Sequence, residues 1–225
     1  METESRMITF QEITERAVRS ERTVLLLRHS MRESLKNGTS DPPLTPEGLE
    51  YARECGGRLA GLPGNTGFGA SPRKRTVQTA ESLRQGIAAV GGGKEIRLFP
   101  EISDTAMFEK PEELEMVLRE YDIPALLRQY YSTGKVAGLK ELESFADGLA
   151  RFLTKTDFGC RNMILVTHDI LIAALLTARK VRTITLDDWC GYLEGAALFR
   201  ARDGVWTLGY AVPDLRTRKK ASLFI

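Results

Sequence analysis

The chain has 225 residues and only two histidines, and both occupy the same kind of place. His29 follows the apolar run Thr23-Val24-Leu25-Leu26-Leu27 and Arg28, while His168 follows Met163-Ile164-Leu165-Val166 and Thr167. A short apolar run without polar alternation reads as a strand buried on both faces, as in a mostly parallel sheet. Ligands bind such sheets just past the strand ends. One histidine is more often structural than functional; two of two in matched positions favour a site. Arginines gather around the first, with Arg28 before it, Arg32 three residues after it, and Arg75 beyond a third strand end in Ala70-Ser71-Pro72-Arg73-Lys74-Arg75-Thr76. Guanidinium groups take phosphate oxygens in a planar, bidentate fashion. Arg73 and Lys74 read as solvated surface, whereas Arg28 directly extends a buried strand.

The elements that must position these groups follow from pattern. Ile8 to Val18 is amphipathic and reads as a helix. Residues 30–44 are a loop rich in Gly, Asn, Asp and Pro. Thr45 is placed to cap a helix with Pro46 at its first position, and Leu49, Ala52, Gly56 and Leu59 keep helical spacing behind it. Phe68 to Ser71 ends a short strand. A helix with Val77, Ala80, Leu83 and Ile87 on one face follows, closed by Gly91-Gly92-Gly93, and Glu95 to Leu98 is another short strand. Two helical pieces, Glu112 to Tyr121 and Ile123 to Tyr131, read as a cap beside the site. A helix from about Leu139 to Thr154 returns to the core, and another with Ile172, Leu175 and Leu176 follows His168. Ala196 to Arg200 and Val205 to Tyr210 form a hairpin turning at Asp203-Gly204. The expectation is a single α/β domain over residues 1–225. It is a three-layer sandwich with a mostly parallel central sheet flanked by helices and a small helical cap insertion at about 100–140.

Bulk properties exclude several classes. A formal net charge of +2 argues against a dedicated nucleic-acid or membrane-surface protein. The basic run Arg216, Arg218, Lys219 and Lys220 reads as a solvated tail. No apolar stretch is long enough to span a bilayer, and Met1-Glu2-Thr3-Glu4-Ser5 lacks the order of a signal peptide, so the expected location is the cytoplasm. Cys55, Cys160 and Cys190 have no metal-site or disulfide spacing. None is followed by the loop ending in arginine that a cysteine-dependent phosphatase needs. Gly91-Gly92-Gly93-Lys94 is not a nucleotide-binding P-loop.

Four motifs resemble the histidine phosphatase superfamily, which includes phosphoglycerate mutases and histidine acid phosphatases. Leu27-Arg28-His29-Ser30 is similar to its Arg-His-Gly signature, with Ser30 in place of glycine. Leu44-Thr45-Pro46-Glu47-Gly48 is similar to the segment that follows. Ser71 to Ala80 resembles the second arginine motif, and Val166-Thr167-His168-Asp169 the second histidine motif. They fall in the family's order and span residues 24–176. Asp169 after His168, with Arg32 after His29, looks more like the acid phosphatase and phytase branch. The short length and the Thr-Pro-Glu-Gly segment look more like the mutase branch.

The resemblance implies a phosphatase acting on a phosphomonoester through a phosphohistidine on His29. Arg28, Arg32, Arg75 and His168 would hold the phosphoryl oxygens. The catalytic set is then His29, His168, Asp169 and Glu101. Asp169 ranks first as proton donor, Glu101 second and Asp104 third. The arginines and histidines already bring the positive charge a metal would supply, so neither metal nor cofactor is expected. The expected partner is a small phosphorylated substrate, with a phosphoprotein as alternative, and neither nucleic acid nor membrane. Two rivals remain: a phosphosugar or phosphoglycerate-type mutase, and a catalytically weak phosphoprotein-binding module. Trp189, Tyr192 and Glu194, like Phe108, Tyr130 and Tyr131 in the cap, are as consistent with core packing as with a pocket wall.

Overall fold

A computed structural model of the chain describes residues 1–34, 41–87, 95–120 and 122–214. The glycines 91–93, Tyr121, part of the 30–44 loop and the basic run at 216–220 lie outside the described residues.

The first apolar run forms strand β2 (Arg22–Arg28), which pairs in parallel with β5 (Asn162–Thr167) along its whole length. Successive β2 side chains enter opposite layers: Val24 and Leu26 join one core cluster, Leu25 and Leu27 the other. Burial on both faces is why neither run alternates with polar residues. β3 (Thr66–Ala70) lies parallel to β5, and β4 (Ile96–Leu98) parallel to β3. On the other side of β2, the hairpin β6 (Gly195–Arg200) and β7 (Trp206–Val212) joins antiparallel. Gly204, at φ 85°, takes the left-handed turn position between them. With an edge strand β1 (Glu2–Thr9) beside β7, the sheet order is β1-β7-β6-β2-β5-β3-β4, seven strands among the described residues, mostly parallel. The α/β architecture is therefore as expected.

One layer of the sandwich holds α1 (Phe10–Arg19), α2 (Pro46–Arg58) and α3 (Lys74–Ile87). The other holds α6 (Leu142–Lys155) and α7 (Asp169–Ala178). α4 (Pro111–Glu120) and α5 (Ile123–Thr133), reached through two 3-10 turns at Pro100–Ile102 and Asp104–Met107, pack Leu114, Leu126, Leu127 and Tyr130 into that second layer. α2 starts as the sequence indicates: the Thr45 hydroxyl accepts from the Gly48 amide at 3.0 Å, with Pro46 in the first turn.

One boundary differs. Ile8 is not helical; it belongs to strand β1 (Glu2–Thr9), parallel to β7 at the sheet edge, and α1 begins after it at Phe10. Thr9 caps α1 in a reciprocal capping box with Glu12. β1 is polar and mostly exposed, so its pairing comes from backbone hydrogen bonds that hydropathy does not report.

Candidate active site

The register of the sheet brings the strand ends level. Arg28 is paired with Thr167, and Ala70 with both Val166 and Leu98. The ladder continues one residue further: the His29 amide donates to Thr167 O at 3.0 Å, and the Ser71 amide to Val166 O at 3.0 Å. His29, His168 and Ser71 thus emerge side by side where β2, β5 and β3 stop. The two imidazole centroids lie 5.7 Å apart, edge to face, and both rings are buried.

His29 has a defined tautomer. Its Nδ1 is 2.8 Å from the Ser30 carbonyl, which can only accept, so Nδ1 carries the hydrogen and Nε2 is bare. Burial first, then Arg28, His168 and Arg75, push its pKa well below the ordinary imidazole value. Ser30 is accommodated where the family signature has glycine. It is fully buried, its hydroxyl donates to Gly48 O at 2.7 Å, and its amide donates to the Thr79 hydroxyl at 3.0 Å.

Arg28 reaches three groups at once. Nη1 donates to Cys190 O at 2.5 Å, Nη2 pairs with Asp169 at 2.7 Å, and the guanidinium carbon sits 4.8 Å from the centroid of the Tyr192 ring. The Cys190 carbonyl is aimed by a tight loop. Leu193 adopts φ 60°, a strained value for leucine, and the buried Glu194 carboxylate accepts from the Gly191 amide and the Tyr210 hydroxyl. Tyr192 also lies 6.4 Å from the His29 ring.

Arg75 is held by Asp41 at 3.2 Å and Asp104 at 3.3 Å, and its Nη2 is 3.2 Å from His168 Nδ1. Arg73, read from sequence as solvated surface, instead pairs with Asp104 at 3.0 Å beside Arg75. Arg32 turns its Nη1 to Glu33 O but stays close enough to Arg75 to disfavour its charge. His168 is pushed down to about 4 by burial and then Arg75, against the opposite pull of Asp104 and Asp169.

The three carboxyl candidates separate. Asp169 opens α7; its Oδ2 accepts from Trp189 Nε1 at 2.9 Å as well as from Arg28, and its Oδ1 from the Ile170 amide at 2.9 Å. Burial alone would raise its pKa, but Arg28, then Trp189 and the two histidines, outweigh burial and hold it at about 2. Asp104 is likewise lowered, with burial outweighed by His168 and Arg73. Glu101 is exposed and lines a groove against α6 with Lys140, Ser144 and Arg151; among the described residues it has no hydrogen bond or ion pair to either histidine or to the arginines. Among the aromatics, Trp189 and Tyr192 adjoin the site. The Tyr131 ring backs Trp189 at 6.2 Å, and Tyr130 is core. Pattern reading missed Ser71, although it stands one residue past a strand end just as His29 and His168 do.

Two buried imidazoles and a set of guanidiniums thus gather at the carboxyl edge of the parallel strands of an α/β protein. Residues 24–189 match the histidine phosphatase superfamily (branch 1), and the chain belongs to that superfamily. The fold is similar to that of a mycobacterial glucosyl-3-phosphoglycerate phosphatase complexed with VO3 (18% identity, 86% of this chain and 100% of that chain, TM-score 0.57). It is also similar to a phosphoglycerate mutase from Bacillus anthracis (16% identity, 84% and 92%, TM-score 0.54). A phosphoserine phosphatase from Entamoeba histolytica, in complex with 3-phosphoglyceric acid, is a third such structure (19% identity, 90% and 98%, TM-score 0.52). No curated protein matches the chain in sequence. Among the described residues, no helix is long and apolar enough to cross a membrane.

Proposed function

We propose that the chain is a cytoplasmic phosphatase that hydrolyses a small phosphomonoester through a phosphohistidine on His29. The observation that carries this reading is the bare Nε2 of His29, set by the Ser30 carbonyl and surrounded by Arg28, Arg75 and His168. The Nε2 lone pair attacks phosphorus, the P–O ester bond breaks, and its electron pair leaves on the alcohol oxygen, which takes a proton. Water then gives a proton to Asp169 and attacks the phosphorus, the P–N bond returns its pair to Nε2, and inorganic phosphate departs. Arg28, Arg32, Arg75 and His168 offset the charge on the equatorial oxygens. The scheme uses no metal and no cofactor.

Asp169 is the donor best supported by its surroundings. At rest it is ionised by Arg28. A phosphoryl dianion competes for the Arg28 guanidinium and adds negative charge beside Asp169. Burial, the largest influence on this carboxyl, then raises its proton affinity. Glu101 makes no hydrogen bond or ion pair to the histidines, and Asp104 is committed to two arginines, so both rank lower. Segment 100–140 acts in this reading as the cap, with Tyr131 of α5 bracing Trp189 behind Asp169.

A phosphoester panel tests the proposal. The wild type should release inorganic phosphate and form an acid-labile covalent label, and His29→Ala should lose both. A label that survives in His29→Ala overturns the role of His29. Return of the phosphoryl group to product without phosphate release overturns hydrolysis in favour of a mutase.

A further inference from the structure

His168 sits between two neighbours whose hydrogen-bonding roles are unequal. Arg75 Nη2 can only donate, so His168 Nδ1, 3.2 Å away, is an acceptor and carries no hydrogen. The remaining hydrogen is on Nε2, 2.9 Å from the hydroxyl of the fully buried Ser71. Ser71 Oγ accepts it and passes its own hydrogen to Thr76 Oγ1 at 2.9 Å, which donates in turn to the Arg73 carbonyl at 2.7 Å. The chain of donors runs one way and ends on a carbonyl that cannot reverse it. His29 is the opposite case, with its hydrogen on Nδ1.

We propose that Ser71 is a positioning residue that keeps the hydrogen of neutral His168 on Nε2, so that binding of a tetrahedral dianion draws a proton onto the bare Nδ1. This inference rests on the phosphatase reading, since it requires the anion to sit beside Arg75. A phosphoryl oxygen can only accept, so a bare Nδ1 faces it lone pair to lone pair until that nitrogen is protonated. The other titratable groups around the ring are Asp104, Asp169, Arg73 and the neutral His29. In the free protein Arg75 opposes protonation, and His168 stays neutral down to about pH 4. A bound dianion reverses the sign of the nearest charge and raises the midpoint by roughly 1–3 pH units.

With two histidines in the chain, nitrogen NMR of the imidazole rings reads both directly. Sulfate is a suitable probe because it brings no titratable proton near neutrality. At pH 6 the free protein should show His168 as Nε2–H and His29 as Nδ1–H, and saturating sulfate should protonate His168 Nδ1 and raise its midpoint. Ser71→Ala should move the hydrogen toward Nδ1, and Thr76→Val, which removes the acceptor of the Ser71 hydrogen and frees that hydroxyl to donate, should weaken the Nε2–H preference in the same direction. An Nδ1–H or already charged His168 in the free wild type, or a tautomer unmoved by Ser71→Ala, overturns this inference and leaves the phosphatase reading standing. Sulfate that perturbs neither ring overturns both.

Discussion

Every cation at the site is already paired with an internal anion or dipole. Arg28 rests on Asp169 and the Cys190 carbonyl, and Arg75 on Asp104 and Asp41. Such pairing fixes the guanidiniums before a ligand arrives, and it couples Asp169 to whatever engages Arg28. Asp169→Asn should therefore lower turnover of alkyl phosphates, whose leaving oxygen needs a proton, by about 100-fold or more. Turnover of an aryl phosphate with a good leaving group should fall far less, and rates on the two ester types measure the difference. Equal loss on both would mean that Asp169 acts only through Arg28. The residue types at this scale were legible, since His29, His168, Arg28 and Arg75 do converge. Ser71 and the Arg73–Asp104 pair were not, because a serine past a strand end and a second arginine in a basic segment do not stand out by residue type.

The site depends on where strands stop and on how closely α2 approaches the loop after β2. A Cβ on Gly48 would lie 2.1 Å from the Met31 carbonyl oxygen. Gly48 O is also the acceptor for the Ser30 hydroxyl. Gly48→Ala should push α2 away from the loop that carries His29, costing about 1–3 kcal/mol in urea denaturation and reducing turnover together. Normal stability with normal turnover would show that the loop yields freely. Helix α2, the hairpin and the two central strands were readable because their signals are local: a Thr-Pro cap, an Asp-Gly turn, unbroken apolar runs. β1 was not, because Glu2–Thr9 is bound to β7 through backbone pairing that reaches across the whole length of the chain.

Burial of two neutral imidazoles links the stability of the whole molecule to pH. The unfolded chain protonates His168 near 6.5, but the folded protein does not until about 4. Between those values the unfolded state holds more protons, so stability falls as pH drops through this window. The loss from His168 is roughly 3 kcal/mol. Asp169 acts lower down: its folded value of about 2 lies below its ordinary 3.8, so its contribution is lost as pH falls from 3.8 to 2. Urea midpoints measured from pH 7 to pH 4 should decline, and His168→Gln should reduce the slope. A profile flat over that range would mean that His168 is not held neutral.

The sequence by itself determined that an α/β sheet would carry two histidines and a set of arginines past its strand ends, because burial on both faces and helix capping are properties of neighbouring residues. Tertiary structure alone decided which groups touch. The register of β2, β5 and β3 puts Ser71 against His168, and the closure of the 189–194 loop puts a carbonyl on Arg28. The pairing of Asp169 with Arg28 crosses most of the chain. Protonation states followed from those contacts, since a pKa is set by burial and by charges brought near in space, and spacing along the chain specifies neither.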